Sequence, residues 1–138
     1  MTPDQVALIK KSFDAIWPVH RQIADLCYRR LFEVDPAARD LFHNDMERQR
    51  LKLMDMLAAL VGALDQQELF QSLIKNSGRL HAGFGVLPSQ YTAFGEALIW
   101  SLERQFGASF TPELREAWRV LYATVKTEML RAAADDRG

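Results

Sequence analysis

The sequence is poor in cysteine, in unbalanced charge and in long apolar runs. Its single cysteine, Cys27, cannot form an internal disulfide, and the N-terminus shows no charged-then-apolar leader, so we expect an intracellular, cytoplasmic protein. The 17 basic and 18 acidic residues nearly cancel, which leaves no strong field to attract nucleic acid or an anionic membrane. No apolar run approaches the ~20 residues that a membrane-spanning helix requires. We therefore expect neither a nucleic-acid partner nor a membrane partner.

Apolar residues recur at helical spacing along most of the 138 residues, without strand alternation or an internal repeat. We expect an all-α fold of about seven helices, two of them short and in the middle of the chain, in a single domain over residues 1–138. The predicted segments are 2–18, 19–35, 37–42, 47–65, 67–81, 87–107 and 111–129. A disordered tail is expected at about 134–138, where the last four residues carry no apolar side chain.

Short motifs mark the predicted helix ends. Thr2 and Thr111 each precede a proline and an acid, the residue types of an N-cap and a first helical turn. Pro36 disfavours a helical residue before it and ends the second helix, and Gly107 closes the helix before the last. Gly62, inside the long central helix, is expected to allow a close crossing with a neighbouring helix.

His81 ends the segment 67–81, whose apolar residues recur at helical spacing, and the flexible stretch 83–85 follows it. This pattern places the imidazole on or beside a buried face of the helix. A histidine in such a position is either a hydrogen-bonded core residue or a metal ligand. The residue types and spacing in the rest of the chain indicate which of these two roles applies.

Four other residues stand at characteristic distances along the chain. Pro36 is followed six residues later by Phe42, Tyr28 stands eight residues before Pro36, and Gln49 precedes His81 by thirty-two residues. In this order and spacing the chain resembles the globin family, and within it the bacterial single-domain haemoglobins and the globin half of flavohaemoglobins. The resemblance extends from the first helix to residue 129. It implies a globin fold whose helices enclose a haem pocket.

The resemblance makes His81 the ligand of the haem iron. A neutral imidazole supplies the strong ligand that the iron needs and leaves the opposite face of the iron free for a gas. The second ring nitrogen has to donate a hydrogen bond, and the carbonyl or hydroxyl of Ser77, four residues earlier, lies on the same side of the helix. Because the chain has no Cys-x-x-Cys-His motif, the implied cofactor is haem b, held without thioether bonds.

Tyr28 and Gln49 match the distal positions of the family, where side chains face the bound gas. Their hydroxyl and amide groups can donate hydrogen bonds to a ligand that gains negative charge, so we expect slow oxygen release. Phe42 matches the position that packs against the haem plane. Three alternatives stay open: Gln49 is solvated, the Tyr28 hydroxyl points into water, and Phe42 is ordinary core.

The resemblance also implies residues along the wall and the edge of the haem. The wall residues, each of which would be buried in a haem-free bundle too, are Leu41, Leu53, Val86, Phe94 and Leu98. Lys52 and Arg79 are either partners of the haem propionates or solvated cations. We expect His43 at the surface or near a propionate rather than on the iron, and His20 in solvent.

The chain departs from the family pattern on both sides of the haem. Gln49 stands where a histidine would allow bis-histidine coordination, so only Tyr28 or a displaced Gln49 could supply a sixth ligand. Flavohaemoglobins carry a tyrosine and a glutamate that polarise the iron-binding histidine; Tyr91 matches the first, but Ala133 stands in place of the second and Glu128 is out of register. Without that carboxylate we expect little imidazolate character and weak peroxide-type chemistry.

Three functions are compatible with these residues. The first is reversible binding of oxygen, nitric oxide or carbon monoxide for storage, delivery or scavenging. The second is nitric oxide dioxygenase activity, which would need an external reductase because no reductase domain follows before the chain ends at Gly138. The third is a gas sensor or interaction module with a globin fold. We expect a monomer or a weak homodimer in each case.

Overall fold

The computed structural model describes residues 1–42 and 45–137. Every regular element among these residues is helical, which confirms the predicted all-α class. The six α-helices are α1 (Pro3–Ile16), α2 (His20–Val34), α3 (Met46–Gly62), α4 (Gln67–Gly83), α5 (Pro88–Phe106) and α6 (Pro112–Arg137). Short 3-10 helices occupy Trp17–Val19, Pro36–Leu41 and Gly107–Ser109. Within this part of the chain, none of the helices combines the length and the apolar character that crossing a membrane requires.

Local hydrogen bonds start the first and last α-helices where the sequence predicts. Thr2 Oγ1 accepts from the backbone N–H of Gln5 at 3.1 Å, and Gln5 Oε1 accepts in return from the N–H of Thr2 at 3.0 Å. Thr111 Oγ1 accepts from the N–H of Leu114 at 3.2 Å. These bonds satisfy N–H groups that have no partner in a preceding turn. Gly107 ends α5 with a φ of 57°, a left-handed conformation that glycine adopts without a Cβ penalty.

The helices differ from the prediction in the middle and at the end of the chain. Two short helices were expected in the middle of the chain. The described residues there form one, Pro36–Leu41, and α3 begins soon after it at Met46, which leaves little room for another. A disordered tail was predicted from about residue 134, but α6 continues to Arg137. Alanine has the highest helix propensity of any residue type, and the three alanines at 132–134 extend the helix.

All six α-helices contribute to one apolar core. The most extensive packing joins α4 to α6 and α2 to α5. Large side chains that are almost fully buried include Ile9, Ile23, Ile74, Leu102 and Trp118. Each contributes about 1.5–3 kcal/mol through burial. Trp118 Nε1 also donates to Ser12 Oγ at 3.0 Å, so the last helix is tied to the first and both buried polar groups are paired.

Two glycines let helices approach each other closely, and neither is the predicted one. A Cβ on Gly78 of α4 would lie 2.6 Å from the carbonyl oxygen of Met129 in α6. A Cβ on Gly95 of α5 would overlap the ring of Tyr122, which is also in α6. The predicted close crossing at Gly62 is wrong: this glycine is exposed, and nothing lies within 4 Å of its Cβ position. It is the last residue of α3 and faces outward, although its neighbours Val61 and Ala63 are buried.

Gly78→Ala should lower the free energy of unfolding, because the added methyl group meets the backbone at Met129, which cannot rotate away. We expect a loss of about 1–3 kcal/mol, the cost of extra volume in a packed interface. Gly62→Ala is the matched control: it adds the same methyl in open space and should be neutral or stabilising by up to about 1 kcal/mol. Chemical denaturation measures both variants. Equal stability of the two would contradict the close contact of α4 with α6.

Candidate functional site

His81 lies in the last turn of α4, half-buried, with one ring nitrogen held by its own helix. Its Nδ1 is 2.7 Å from the carbonyl oxygen of Ser77 and 3.4 Å from the Ser77 hydroxyl. Because a carbonyl can only accept, Nδ1 carries a proton and donates it to Ser77. In the neutral imidazole Nε2 therefore keeps its lone pair, and no residue among 1–42 and 45–137 hydrogen-bonds to it. A nitrogen in this state can bind a metal.

Tyr91 of α5 is buried next to the His81 ring. The two ring centroids are 6.1 Å apart and the ring planes are inclined by 38°. Burial raises the pKa of the Tyr91 phenol. The described residues show no hydrogen bond between the two side chains, and the Glu128 carboxylate bonds to Arg131 at 2.8 Å. His81 is therefore oriented by the neutral oxygens of Ser77 and not by a carboxylate.

Tyr28 of α2 and Gln49 of α3 form a hydrogen-bonded pair. Gln49 Nε2 donates to Tyr28 Oη at 3.2 Å; Tyr28 is only 4% exposed, and Gln49 is half-buried. Burial raises the pKa of the Tyr28 phenol, and the hydrogen bond from Gln49 opposes this shift in part. The hydroxyl is therefore protonated near neutral pH. Since its oxygen already accepts from Gln49, its hydrogen is available for a further acceptor.

Three phenylalanines surround the Tyr28 ring. Phe42 meets it edge-on, with centroids 5.4 Å apart and planes at 81°, and Phe94 of α5 lies 6.2 Å away. Phe32 also lies at 6.2 Å from Tyr28 and contacts Phe42 at 5.8 Å. Each such pair contributes about 0.5–1.5 kcal/mol beyond burial, so the orientation of the Tyr28 ring is well defined. Phe32 was not predicted as a site residue, although it follows Tyr28 by four residues and helical spacing places both on one face.

The remaining predicted wall and edge residues divide between the interior and the surface. The wall residues are half-buried or buried: Leu41, Leu53, Val86 and Leu98. Leu53 and Val86 pack against the apolar core, and Leu98 belongs to it. The two predicted propionate partners, Lys52 and Arg79, are exposed. Both cations thus have access to solvent, as a partner for an anionic cofactor edge requires.

The other two histidines lie apart from these groups or outside the described residues. His20 was expected in solvent, but its ring stacks on Trp17 with centroids 4.0 Å apart, so it is half-buried. The flat apolar face of the indole covers one side of the imidazole. His43 falls outside the described residues. Among the described residues, no group of three or more His, Cys, Asp or Glu side chains could hold a metal ion.

Helix α5 joins the two halves of the candidate site. Its Tyr91 stands beside His81, and its Phe94 stands beside Tyr28. Residues three apart are neighbours on a helix surface, so the two contacts come from one face of α5. The histidine group and the tyrosine–glutamine group are thus positioned by the same helix turn.

Large apolar side chains are exposed close to His81. Leu80 is 57% exposed, Phe84 is 74% exposed and Leu87 is 56% exposed, at the end of α4 and in the segment that leads to α5. Soluble proteins keep such exposed apolar surface small unless it binds a ligand or a partner. This end of α4 therefore combines a metal-binding nitrogen with apolar surface.

The stretch from α2 to α6 matches a known family. The model of the globin family covers residues 25–129, which is most of the chain and includes Tyr28, Gln49 and His81. The chain belongs to the globin family, which confirms the resemblance inferred from the sequence. Members of this family bind haem with its iron and, through it, diatomic gases.

Individual relatives are similar over most of the chain. Neuroglobin of Tetraodon nigroviridis is 29% identical over 141 aligned residues, which cover 92% of this chain and 89% of the relative. Neuroglobin-1 of Oncorhynchus mykiss is 26% identical over 148 residues, covering 97% and 93%. The flavohemoprotein of Rhizobium meliloti (strain 1021) is 28% identical over 101 residues, 71% of this chain and 25% of its own length. These similarities agree with the globin family shown by the family model, and they do not establish a bacterial subgroup within it.

All three tyrosines, Tyr28, Tyr91 and Tyr122, have pKa values raised by burial. The unfolded chain ionises its phenols at about pH 10, so above this pH the folded state binds more protons than the unfolded state. The resulting stability is fully present below the unfolded pKa and is lost as the pH rises towards the folded values. Tyrosinate absorbance and the loss of helical circular dichroism should therefore appear together above about pH 10. Full tyrosinate formation in a folded chain at that pH would contradict the burial.

Proposed function

We propose that this globin binds haem b without covalent bonds, with His81 as the protein ligand of the iron, and thereby binds oxygen, nitric oxide or carbon monoxide reversibly. The bond from His81 Nδ1 to the Ser77 carbonyl carries the proposal, because it leaves the lone pair of Nε2 for a metal. Haem iron held by one imidazole binds a small gas molecule on its opposite face.

The residues that we assign to the haem pocket fit this cofactor. A tetrapyrrole is flat and largely apolar, so it needs aromatic and aliphatic walls, which Phe42 and the half-buried residues Leu53 and Val86 supply. Its two propionates are anionic and need cations that reach solvent, a role we assign to Lys52 and Arg79. Burial of the exposed apolar surface at the end of α4 would add to the binding.

We assign the distal role to Tyr28, with Gln49 as its positioning partner. Gln49 donates to the phenol oxygen, so the Tyr28 hydrogen is directed to another acceptor, which we propose is the bound gas. A hydrogen bond to a ligand that gains negative charge contributes about 1–3 kcal/mol. A bond of this strength slows dissociation of the ligand by about fivefold to 150-fold. Oxygen release should accordingly be slow.

The proximal side favours gas binding over peroxide chemistry. A carboxylate on Nδ1 would give His81 imidazolate character, but Nδ1 donates to a neutral carbonyl instead. Nitric oxide dioxygenase activity with a separate reductase is the second candidate, supported by the similarity to a flavohemoprotein. Action in the cytoplasm as a monomer or weak homodimer, and kinship with bacterial single-domain haemoglobins, belong to the same proposal.

His81→Ala should abolish the protein bond to the iron. Loss of a residue that hydrogen-bonds to a metal ligand typically lowers the affinity for the metal by about 10–100-fold. Loss of the ligand His81 itself should lower the affinity for haem by more than this. His20→Ala is the matched control, since His20 stacks on Trp17 and should not affect the cofactor. Absorption spectra of the ferric, ferrous and carbon-monoxide forms test the assignment. A parent protein that takes up no haem, or a His81→Ala variant with unchanged spectra, would refute the proposal.

Tyr28→Phe should raise the oxygen dissociation rate by about fivefold or more, because it removes the proposed donor. Gln49→Leu should have a smaller effect, since the Tyr28 hydroxyl remains but loses its positioning bond. The double variant should resemble Tyr28→Phe, because the two residues act as one unit. The exposed Gln105→Leu serves as the matched amide control and should leave the rate unchanged. Stopped-flow ligand replacement measures these rates, and equal rates in all variants would eliminate the distal assignment.

A further inference from the structure

Tyr122 of α6 touches α5 at three places. Its hydroxyl donates to the carbonyl of Tyr91. Its ring lies 6.1 Å from the ring of Phe94 and occupies the space that a Cβ on Gly95 would need. Because the contacted positions 91, 94 and 95 fall within little more than one turn of α5, a single side chain fixes that turn by a hydrogen bond, a ring contact and a backbone contact.

The same turn of α5 faces both halves of the candidate site. Tyr91 lies 6.1 Å from His81, and Phe94 lies 6.2 Å from Tyr28, measured between ring centroids. A displacement of this turn would therefore move the neighbour of the proximal histidine and the neighbour of the distal tyrosine together. Tyr122 itself has no direct ring contact or hydrogen bond with His81 or Tyr28 among the described residues.

A groove of about 510 Å³ opens between α2, α5 and α6, and Tyr122 is part of its wall. Two exposed contacts join α5 and α6 along this groove: Arg115 with Glu103 at 2.9 Å, and Lys126 with Thr92 at 2.7 Å. Exposed polar contacts of this kind contribute little to stability. The partly buried Tyr122 is therefore the stronger constraint on the local distance between α5 and α6.

We propose that Tyr122 is a positioning residue that sets the proximal and the distal side of the site at once, by fixing the turn of α5 between Tyr91 and Gly95. The effect of this positioning on gas binding rests on the proposed function. The placement of His81 and Tyr28 by Tyr122 is a property of the chain itself and can be measured without haem.

Tyr122→Phe keeps the ring on Gly95 and removes only the hydrogen bond to Tyr91. In the haem-free protein we expect the NMR signals of the His81 and Tyr28 rings both to shift. In the haem-loaded protein the carbon monoxide dissociation rate should change by about twofold to tenfold, and the vibrational bands of the iron–histidine bond and of bound carbon monoxide should both move. Thr92→Val is the matched control, because it removes the exposed contact with Lys126 in the same helix pair and should leave all these signals unchanged.

Gly95→Ala tests the same contact from the opposite side, by pushing the Tyr122 ring away from α5. We expect it to shift the His81 and Tyr28 signals in the parent chain. In the Tyr122→Ala background the ring atoms that would meet the added methyl are absent, so the shift should largely disappear. This pair of variants also keeps the proposal testable if Tyr122→Phe folds poorly.

Three results would overturn the positioning role. Tyr122→Phe could change signals of α6 alone and leave His81 and Tyr28 as in the parent chain. Thr92→Val could cause the same shifts as Tyr122→Phe. Gly95→Ala could act equally with tyrosine or alanine at position 122. A parent chain that binds no haem would refute the proposed function, while the NMR comparison of the haem-free variants would still decide the role of Tyr122.

Discussion

A hydrogen bond within one turn of α4 determines what His81 can do. The shorter contact of Nδ1 is with the backbone carbonyl of Ser77, and the hydroxyl of the same residue lies farther away. The orientation of the imidazole therefore depends on the helix more than on the side chain at position 77. As long as α4 is intact from residue 77 to residue 81, the proton stays on Nδ1 and Nε2 can serve as the metal ligand.

The tyrosine side of the site has a different physical basis. Tyr28 and Gln49 are 21 positions apart and belong to different helices, and the rings around Tyr28 come from α2, from α5 and from the segment between α2 and α3. No local rule brings these groups together; the packing of α2 against α3 and α5 does. The Ser77–His81 pair is thus a property of one helix, and the group around Tyr28 is a property of the tertiary structure.

This division also explains what could be predicted from the sequence. The caps at Thr2 and Thr111 and the pairing of Ser77 with His81 follow from residues three or four apart, so the sequence was sufficient. The meeting of Tyr28 with Gln49 was expected only because the spacing resembles a known family. The close contacts at Gly78 and Gly95, and the bond from Tyr122 to Tyr91, depend on which helices are neighbours. Helical spacing does not show which helices are neighbours. The close crossing was therefore predicted at Gly62, where the structure has none.

The contact at Gly78 has a consequence for synthesis of the chain on the ribosome. The helix that carries His81 packs its backbone against the backbone of α6 at Met129, which follows α4 and α5 in the chain. Chains emerge from the ribosome N-terminus first, so α4 is complete long before its support exists. A nascent chain can thus form the hydrogen bond between His81 and the Ser77 carbonyl early. Helix α4 can pack in its final position only after residue 129 has left the exit tunnel.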